Sequence, residues 1–385
     1  ANPQVYEPDL AMVQNNLGIL YKDTQRYEES EKMYLSAMEI YRRLAAVNPQ
    51  VYEPDLATIQ NNLGLLYKDT QRYEDSEKMY LSAMEIRRRL AVANPQVYEP
   101  DLATTQYNLG CLYSDTRCYG DSEEMFLSAM EIRRRLAAVN PQVYDPDLAT
   151  TQNDLGILYS DTRRYGDSEE MFLSVMEIRR RLVAANPQVY EPDLAMVQNN
   201  LGCLYDNTQR YEESGEMYLS AMEIYRRLAA ANPQVYEPDL AMTQNNLGTL
   251  YYNTQRYEES GEMYLSAMEI YRRLAAANPQ VYEPGLVRAC NNLSCLFLVQ
   301  GNFEEAERYA REGLKYDSTH HTIYTNLAAS LLFQGRYAEA EEIYLRYKEE
   351  LKEDFLSDFE DFYQRGIIPP EREDDVERIK KLLSK

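Results

Sequence analysis

Residues 2–11 read NPQVYEPDLA, and this phrase indicates the architecture because it returns along the chain at a constant interval. With small changes it begins again at Asn48, Asn94, Asn140, Asn186, Asn232 and Asn278, which gives a period of 46 residues. A fixed period of roughly 20 to 50 residues is typical of arrays in which each repeat is one supersecondary unit stacked on its neighbours. The sequence therefore predicts a repeat array, although 385 residues would ordinarily suggest two or three globular domains.

Two helices are predicted in each repeat. In the first, helix A, residues 9–23 place apolar side chains at three- and four-residue steps, and Pro8 is expected at the first helical position. In the second, helix B, residues 27–46 carry acidic side chains at the start and arginines near the end, as the helix dipole favours. Asn48-Pro49 is expected to end helix B.

Small and aromatic residues recur at fixed positions of this unit: Leu17-Gly18, Tyr21, Tyr27, Ser30, Tyr34 and Ala37, and the Leu-Gly pair recurs through Leu247-Gly248. These residues resemble the packing positions of a tetratricopeptide repeat. The opening phrase and QNNLG at residues 14–18 are most similar to the lengthened repeats of kinesin light chains. The resemblance implies an all-α, right-handed α-solenoid in which the A helices line a concave groove that binds a protein or peptide.

Three segments are expected along the chain. Residues 1–280 form six near-identical units, residues 281–352 form two diverged and shorter units, and residues 353–385 form C-terminal capping helices. Phe355, Phe359 and Phe362 share one face of the first capping helix. An array needs such atypical ends to keep its last apolar face out of water.

Composition limits the class of partner and the compartment. The net charge of −23 repels a phosphate backbone, so nucleic acid is not an expected partner. No apolar run is long enough to cross a bilayer, and five cysteines without metal-ligand spacing suit a reducing compartment. A cytoplasmic protein without membrane association is predicted. The chain begins at Ala1 within a repeated phrase, so a longer parent protein is also expected.

A column of side-chain amides is the first candidate binding feature. The residue before each Leu-Gly or its equivalent is expected in the groove: Asn16, Asn62, Asn108, Asp154, Asn200, Asn246, Asn292 and Asn326. An amide is both donor and acceptor, so a column of them can bind the backbone of an extended peptide, as an asparagine ladder does in related arrays. The alternative is that duplication copied a structural asparagine.

The second candidate feature is variation between units on the same helix face. One variable position is Ile19, Leu65, Cys111, Ile157, Cys203, Thr249 and Cys295, and another is Lys22, Lys68, Ser114, Ser160, Asp206, Tyr252 and Leu298. A third, near the helix start, begins at Met12. Adaptation to one ligand predicts this variation, and drift at exposed positions is the alternative. Lys22, Lys68 and Tyr252 are therefore predicted to contact a ligand. Asp23, Asp69 and their equivalents favour a segment with basic and apolar residues.

No feature indicates catalysis or a cofactor. His320 and His321 are adjacent and point about 100° apart on a helix, and the chain has no phosphate-binding glycine loop or nucleophile motif. Two functions remain open. The chain is either a scaffold that holds a separate partner, or a regulatory segment of a larger signalling or protease-type protein.

Overall fold

The structure is a computed structural model, and it describes residues 3–384, with side chains from residue 6. Its helices are α1 (Pro3–Asp23), α2 (Tyr27–Val47), α3 (Pro49–Asp69), α4 (Tyr73–Ala93), α5 (Pro95–Asp115), α6 (Tyr119–Val139), α7 (Pro141–Asp161), α8 (Tyr165–Ala185), α9 (Pro187–Asn207), α10 (Tyr211–Ala231), α11 (Pro233–Asn253), α12 (Tyr257–Ala277), α13 (Pro279–Val299), α14 (Phe303–Tyr316), α15 (His321–Phe333), α16 (Tyr337–Arg346), α17 (Lys348–Gln364) and α18 (Glu373–Ser384). A 3-10 turn, Pro370–Arg372, precedes α18. Within this described range the fold is all-helical, as predicted.

The chain forms two compact units, Ala1–Tyr190 and Glu191–Lys385. In both, each helix packs on the next, and odd-numbered A helices also contact one another, as α1 does α3 and α13 does α15. Even-numbered helices from α2 to α16 are the B helices. Each unit is thus a stack of helical hairpins.

The predicted start of helix A is wrong. Helix α3 begins at Pro49, and Pro54 lies inside it. Asn48 is extended, with φ −137° and ψ 81°, and its carbonyl accepts the Tyr52 N–H at 3.2 Å. Asn48 is the only residue between the two helices, so Pro49 takes the first position of α3. Pro54 has no N–H group, and its place inside α3 therefore removes one backbone hydrogen bond. The repeated phrase therefore forms the first turns of helix A.

A left-handed residue makes the turn from helix A to helix B. Gln25 has a φ of 58°, and the Arg26 N–H reaches back to the Tyr21 carbonyl at 2.7 Å, which is a Schellman-type helix end. The same turn recurs at Gln71, Arg117, Arg163, Gln209 and Gln255, whereas the last repeats place Gly301 and Gly335 there.

Close packing between the two helices of a hairpin explains the repeated glycine and serine. A Cβ atom on Gly64 would lie 2.7 Å from ring carbons of Tyr80. The Ser76 hydroxyl donates to the Gly64 carbonyl at 2.7 Å. Only a residue without a side chain allows this approach.

The last helices close the apolar core of the second unit. Phe355, Phe359 and Phe362 of α17 are buried, as the shared face predicted, and so are Val376 and Ile379 of α18. The Phe362 ring packs edge-on against Phe333 at a centroid distance of 5.6 Å. The two helices act as the C-terminal cap.

Candidate functional site

The amide column lies along the A helices, and its members are joined to a second column one residue earlier. In the first unit, Nδ2 of Asn62 donates to Oδ1 of Asn15 at 2.9 Å, and Asn108 donates to Asn61 at 3.2 Å. We call the surface that carries the amide column the A-helix face. One N–H of each bonded amide therefore holds adjacent A helices together.

The same pairing continues in the second unit. Asn246 donates to Asn199 at 3.2 Å, Asn292 to Asn245 at 3.1 Å, and Asn326 to Asn291 at 3.0 Å. Sequence reasoning missed this partner column, although the repeated Asn-Asn doublet was a visible signal for it. Nδ2 of Asn246 also donates to Sγ of Cys203 at 3.6 Å, and Nδ2 of Asn326 also donates to the Asn291 backbone carbonyl at 3.5 Å. These contacts use amide N–H groups and not the side-chain oxygens, which are the acceptors of the column.

One junction in the first unit replaces the amide pair. The Tyr107 hydroxyl donates to Oδ2 of Asp154 at 2.6 Å, and Nδ2 of Asn153 donates to Oδ1 at 3.1 Å. Burial raises the pKa of Asp154, and these two hydrogen bonds lower it in part. Asp154 thus keeps the position of the column but presents only acceptors.

Exposure of the column changes along the chain. Asn16 is exposed, whereas Asn62, Asn108, Asp154, Asn200, Asn246 and Asn292 are half-buried. Asn326 is only 6% exposed. Its contact with a ligand would require neighbouring atoms to move.

The two predicted lysines form ion pairs between repeats. Nζ of Lys22 lies 3.6 Å from Oδ2 of Asp69, and Nζ of Lys68 lies 2.9 Å from Oδ2 of Asp115. Burial opposes the charge of Lys68, but Asp115 more than offsets it, so the pKa of Lys68 is raised. These pairs neutralise part of the acidic character that the aspartates were expected to give this face.

The third predicted residue, Tyr252, is half-buried on the A-helix face of the second unit. Its hydroxyl lies 3.4 Å from Sγ of Cys295, and the Arg365 guanidinium lies 5.8 Å from its ring centroid. Cys295, at the first variable position, thus lies beside Tyr252, at the second. By contrast Thr58, at the third variable position, contacts Arg87 of helix B at 3.4 Å.

The C-terminal end of α17 reaches this same face. Asp361, Gln364 and Arg365 line a cavity of about 700 Å³ together with Asp206, Tyr252 and Asn253. Nδ2 of Asn253 donates to Asp206 at 3.3 Å. Sequence reasoning treated α17 only as a cap and missed its second face, which carries Asp354, Asp358 and Asp361.

The face offers amides, hydroxyls and ion-paired side chains suited to hydrogen bonding. Among the residues that the structure describes, no group of three His, Cys, Asp or Glu side chains could hold a metal ion. No described helix has the length and apolar character needed to span a membrane.

Solved structures similar to this chain share its fold. BtubC (BKLC) from P. vanneervenii is 22% identical with a TM-score of 0.53, over 66% of this chain and 92% of that one. A STAND protein with a tetratricopeptide repeat sensor, from Pyrococcus horikoshii, is 17% identical with a TM-score of 0.60, over 90% of this chain and 49% of that one. The apo quorum sensor NprR from B. thuringiensis is 13% identical with a TM-score of 0.56, over 87% of this chain and 85% of that one.

Comparisons of sequence alone give two results. No curated protein matches the chain, but family models do. Models described as tetratricopeptide repeat match residues 10–48, 55–135, 148–187, 194–232, 239–318 and 291–354. Together with the stacked hairpins, these matches establish that the chain belongs to the tetratricopeptide repeat family.

Proposed function

We propose that this chain is a non-catalytic scaffold that holds an extended segment of a partner protein against the A-helix face. Tetratricopeptide repeats generally mediate protein interactions, and the finer assignment rests on the amide column. The bond from Asn62 to Asn15 fixes the orientation of the Asn62 amide before any ligand arrives. A fixed donor and acceptor lose less conformational entropy on binding, so the lateral pairing favours recognition of a peptide backbone.

The side chains beside the column indicate the composition of the bound segment. Ile19 and Ile157 expose aliphatic surface on this face. Lys22 and Lys68 are paired with aspartates, and the whole chain is strongly acidic. A segment with both basic and apolar residues fits this surface. The five free thiols favour a cytoplasmic location for the protein.

The direct test compares two sets of substitutions. In the first variant, Asn62, Asn108, Asn200 and Asn246 are changed to Ala, which removes column amides. In the matched control, Asn61 and Asn245 are changed to Ala, which removes the lateral acceptors of Asn108 and Asn292 but keeps the column. Both proteins are checked for helicity by circular dichroism and used with the parent in pull-downs from the native host.

We expect the parent to recover a partner that the column variant loses. The control keeps the column amides but lacks two of their lateral acceptors, so it should recover the same partner in reduced amount. Peptides that tile this partner, measured by fluorescence anisotropy, should then include one that binds the parent and not the column variant. Equal recovery by a folded column variant would show that the asparagines are structural and that the partner binds elsewhere.

A regulatory role is the second candidate, and the position of α17 favours it. Asp361 and Arg365 lie beside Tyr252. A ligand on the A-helix face would compete with these two residues for contact with Tyr252. The similar structures include a STAND sensor and a quorum sensor. If α17 controls access, replacing Asp361 with Asn and Arg365 with Gln should strengthen partner binding, whereas unchanged affinity would exclude this control.

A further inference from the structure

A three-residue contact between repeats recurs away from the amide column. Oε1 of Glu31 accepts from the Tyr67 hydroxyl at 2.9 Å and from Nη1 of Arg72 at 2.8 Å. Glu123 does the same with Tyr159 at 3.0 Å and Arg164 at 2.8 Å. In both places the arginine also stacks on the tyrosine, 4.1 Å from the ring centroid. The glutamate comes from the start of a B helix, and its partners come from the end of the next A helix and the turn that follows it.

In the second unit one copy of this contact lacks its carboxylate. Gly215 occupies the position of Glu31, yet Tyr251 and Arg256 remain in the positions of Tyr67 and Arg72. Arg256 keeps its place over the Tyr251 ring, 4.0 Å from the centroid, and its Nε and Nη2 bind Glu259. Among the described residues, no carboxylate accepts a hydrogen bond from Nη1 of Arg256 or from the Tyr251 hydroxyl.

The other junctions keep different parts of this contact. Tyr113 donates to Glu77 at 2.7 Å, although Cys118 stands in the position of Arg72. One repeat after Gly215, Gly261 again replaces the glutamate, but Phe297 and Asn302 replace the tyrosine and the arginine as well. In the repeat after that, Glu307 is present and pairs with Arg336 at 2.6 Å. Gly215 thus stands at a junction where the donors are kept and the acceptor is missing.

Space for an incoming group exists at this position. A cavity of about 410 Å³ is lined by Gly215, Leu219, Leu250, Tyr251, Thr254 and Arg256, with Glu212 and Glu216 at its side. Tyr251 is only 9% exposed, and a Cβ on Gly215 would meet nothing closer than a Leu250 methyl at 3.6 Å. Glu28 likewise flanks Glu31, and Glu124 flanks Glu123, so nearby acids do not prevent a carboxylate from binding there.

We propose that the cavity at Gly215 binds the carboxylate of a Glu or Asp side chain on a partner protein, next to an aliphatic residue that packs on Leu219 and Leu250. The carboxylate replaces the missing glutamate and accepts from Nη1 of Arg256 and from the Tyr251 hydroxyl. Charge-assisted hydrogen bonds to a guanidinium are stronger than neutral ones, so the acid is preferred to its amide. This site is separate from the amide column, and its occupation does not depend on the function proposed above.

The test uses the full chain, labelled with ¹⁵N, and the probe N-acetyl-leucyl-glutamyl-amide. We expect the Arg256 Nε resonance, assigned with Arg256→Gln, to shift saturably as the probe is added over the millimolar range. The glutamine analogue of the probe should bind about tenfold more weakly. A shift of equal size and midpoint with the analogue, or no saturable shift, would overturn the proposal.

Two glycine substitutions provide a matched comparison. Gly215→Glu supplies the carboxylate from within the chain, so it should abolish the response to the probe and raise the melting temperature. Gly261→Glu places the same charge opposite Phe297 and Asn302, which replace the tyrosine and the arginine of this contact. It should therefore leave the response at Arg256 unchanged. A Gly215→Glu protein that melts below the parent would show that the cavity does not accept a carboxylate, and it would contradict the proposal without any probe.

Discussion

The Tyr107 hydroxyl donates a 2.6 Å hydrogen bond to Asp154 at a junction where other repeats pair two asparagines. Tyr107 and Asp154 both stand where most repeats have asparagine, and they are 47 residues apart in sequence. Each substitution supplies the partner that the other one needs. Tyr107→Phe removes the donor and leaves the half-buried carboxylate of Asp154 with one hydrogen bond fewer. We expect the free energy of unfolding to fall by about 1–3 kcal/mol, measured by equilibrium urea denaturation at neutral pH.

The control for this pair restores the repeat consensus. Tyr107→Asn combined with Asp154→Asn rebuilds the amide pair seen between Asn61 and Asn108. It should recover most of the stability that Tyr107→Phe loses. A double variant that loses stability where Tyr107→Phe loses none would mean that Tyr107 contributes through its ring and not through its hydroxyl.

A buried arginine gives a second prediction. Arg87 is buried between helices, and its Nη1 donates to the Thr105 hydroxyl and, at 3.0 Å, to the Asp101 carbonyl. Thr105→Val keeps the shape but removes an acceptor from a buried cation, which should lower the free energy of unfolding by about 1–3 kcal/mol. Urea denaturation measures the loss.

Thr243 provides the matched position. It lies 18 residues after Tyr225, as Thr105 lies 18 residues after Arg87, and it is equally buried. Thr243→Val should change stability by no more than about 0.5 kcal/mol, since no arginine depends on it. The interpretation fails if the two valine variants are equally destabilised.

Glycine substitutions test the packing inside one hairpin. Gly64→Ala forces a methyl group to within 2.7 Å of the Tyr80 ring, so it should cost about 1–3 kcal/mol. Gly120 has open space around it, and Gly120→Ala should stabilise by up to about 1 kcal/mol because alanine favours a helix. Thermal unfolding of the two proteins should therefore shift in opposite directions, and a shift of the same sign would contradict this account.

The pH dependence of stability should report on Asp358. Burial raises its pKa from 3.8 to about 6, with Asp354 and Asp361 adding to the effect and Thr325 opposing it. Because the folded pKa exceeds the unfolded one, the cost of this charge is fully present above about pH 6 and disappears below about 3.8. A shift of roughly two units corresponds to about 3 kcal/mol. Asp358→Asn should therefore stabilise by up to that amount at pH 8 and by nothing at pH 3.5.

Glu360→Gln is the control for that series, since Glu360 is exposed on the same helix. Its stability should follow the parent at every pH. A gain for Asp358→Asn that persists at pH 3.5 would show that the improvement comes from packing and not from the charge.

The fold could be predicted because its determinants are local and repeated. The 46-residue period, the Leu-Gly pair and the small Ser30 position each reflect contacts within one hairpin, such as Ser76 with Gly64. The helix start was missed because Pro49 and Pro54 are both acceptable first residues. The choice depends on the extended backbone of Asn48, which sequence alone does not reveal.

The candidate site was predicted less completely because it depends on contacts between repeats. The amide column follows from helical periodicity, but its bonds to Asn15 and Asn61 join residues 47 apart. The approach of Arg365 to Tyr252 depends on how α17 packs on its Phe face, which no local pattern encodes. The contact of Tyr252 with a ligand stays a prediction.

The single residue that separates a B helix from the next A helix in the 46-residue repeats limits how this protein can change. Asn48 belongs to neither helix, and Val47 and Pro49 are already helical on either side. One residue added or deleted inside a helix, on either side of this joint, would rotate the rest of that helix by about 100° and move its apolar stripe out of the core. A gain or loss of complete 46-residue copies leaves this register unchanged. Duplication by whole units, visible in the near-identical sequence, is the form of growth that this geometry permits.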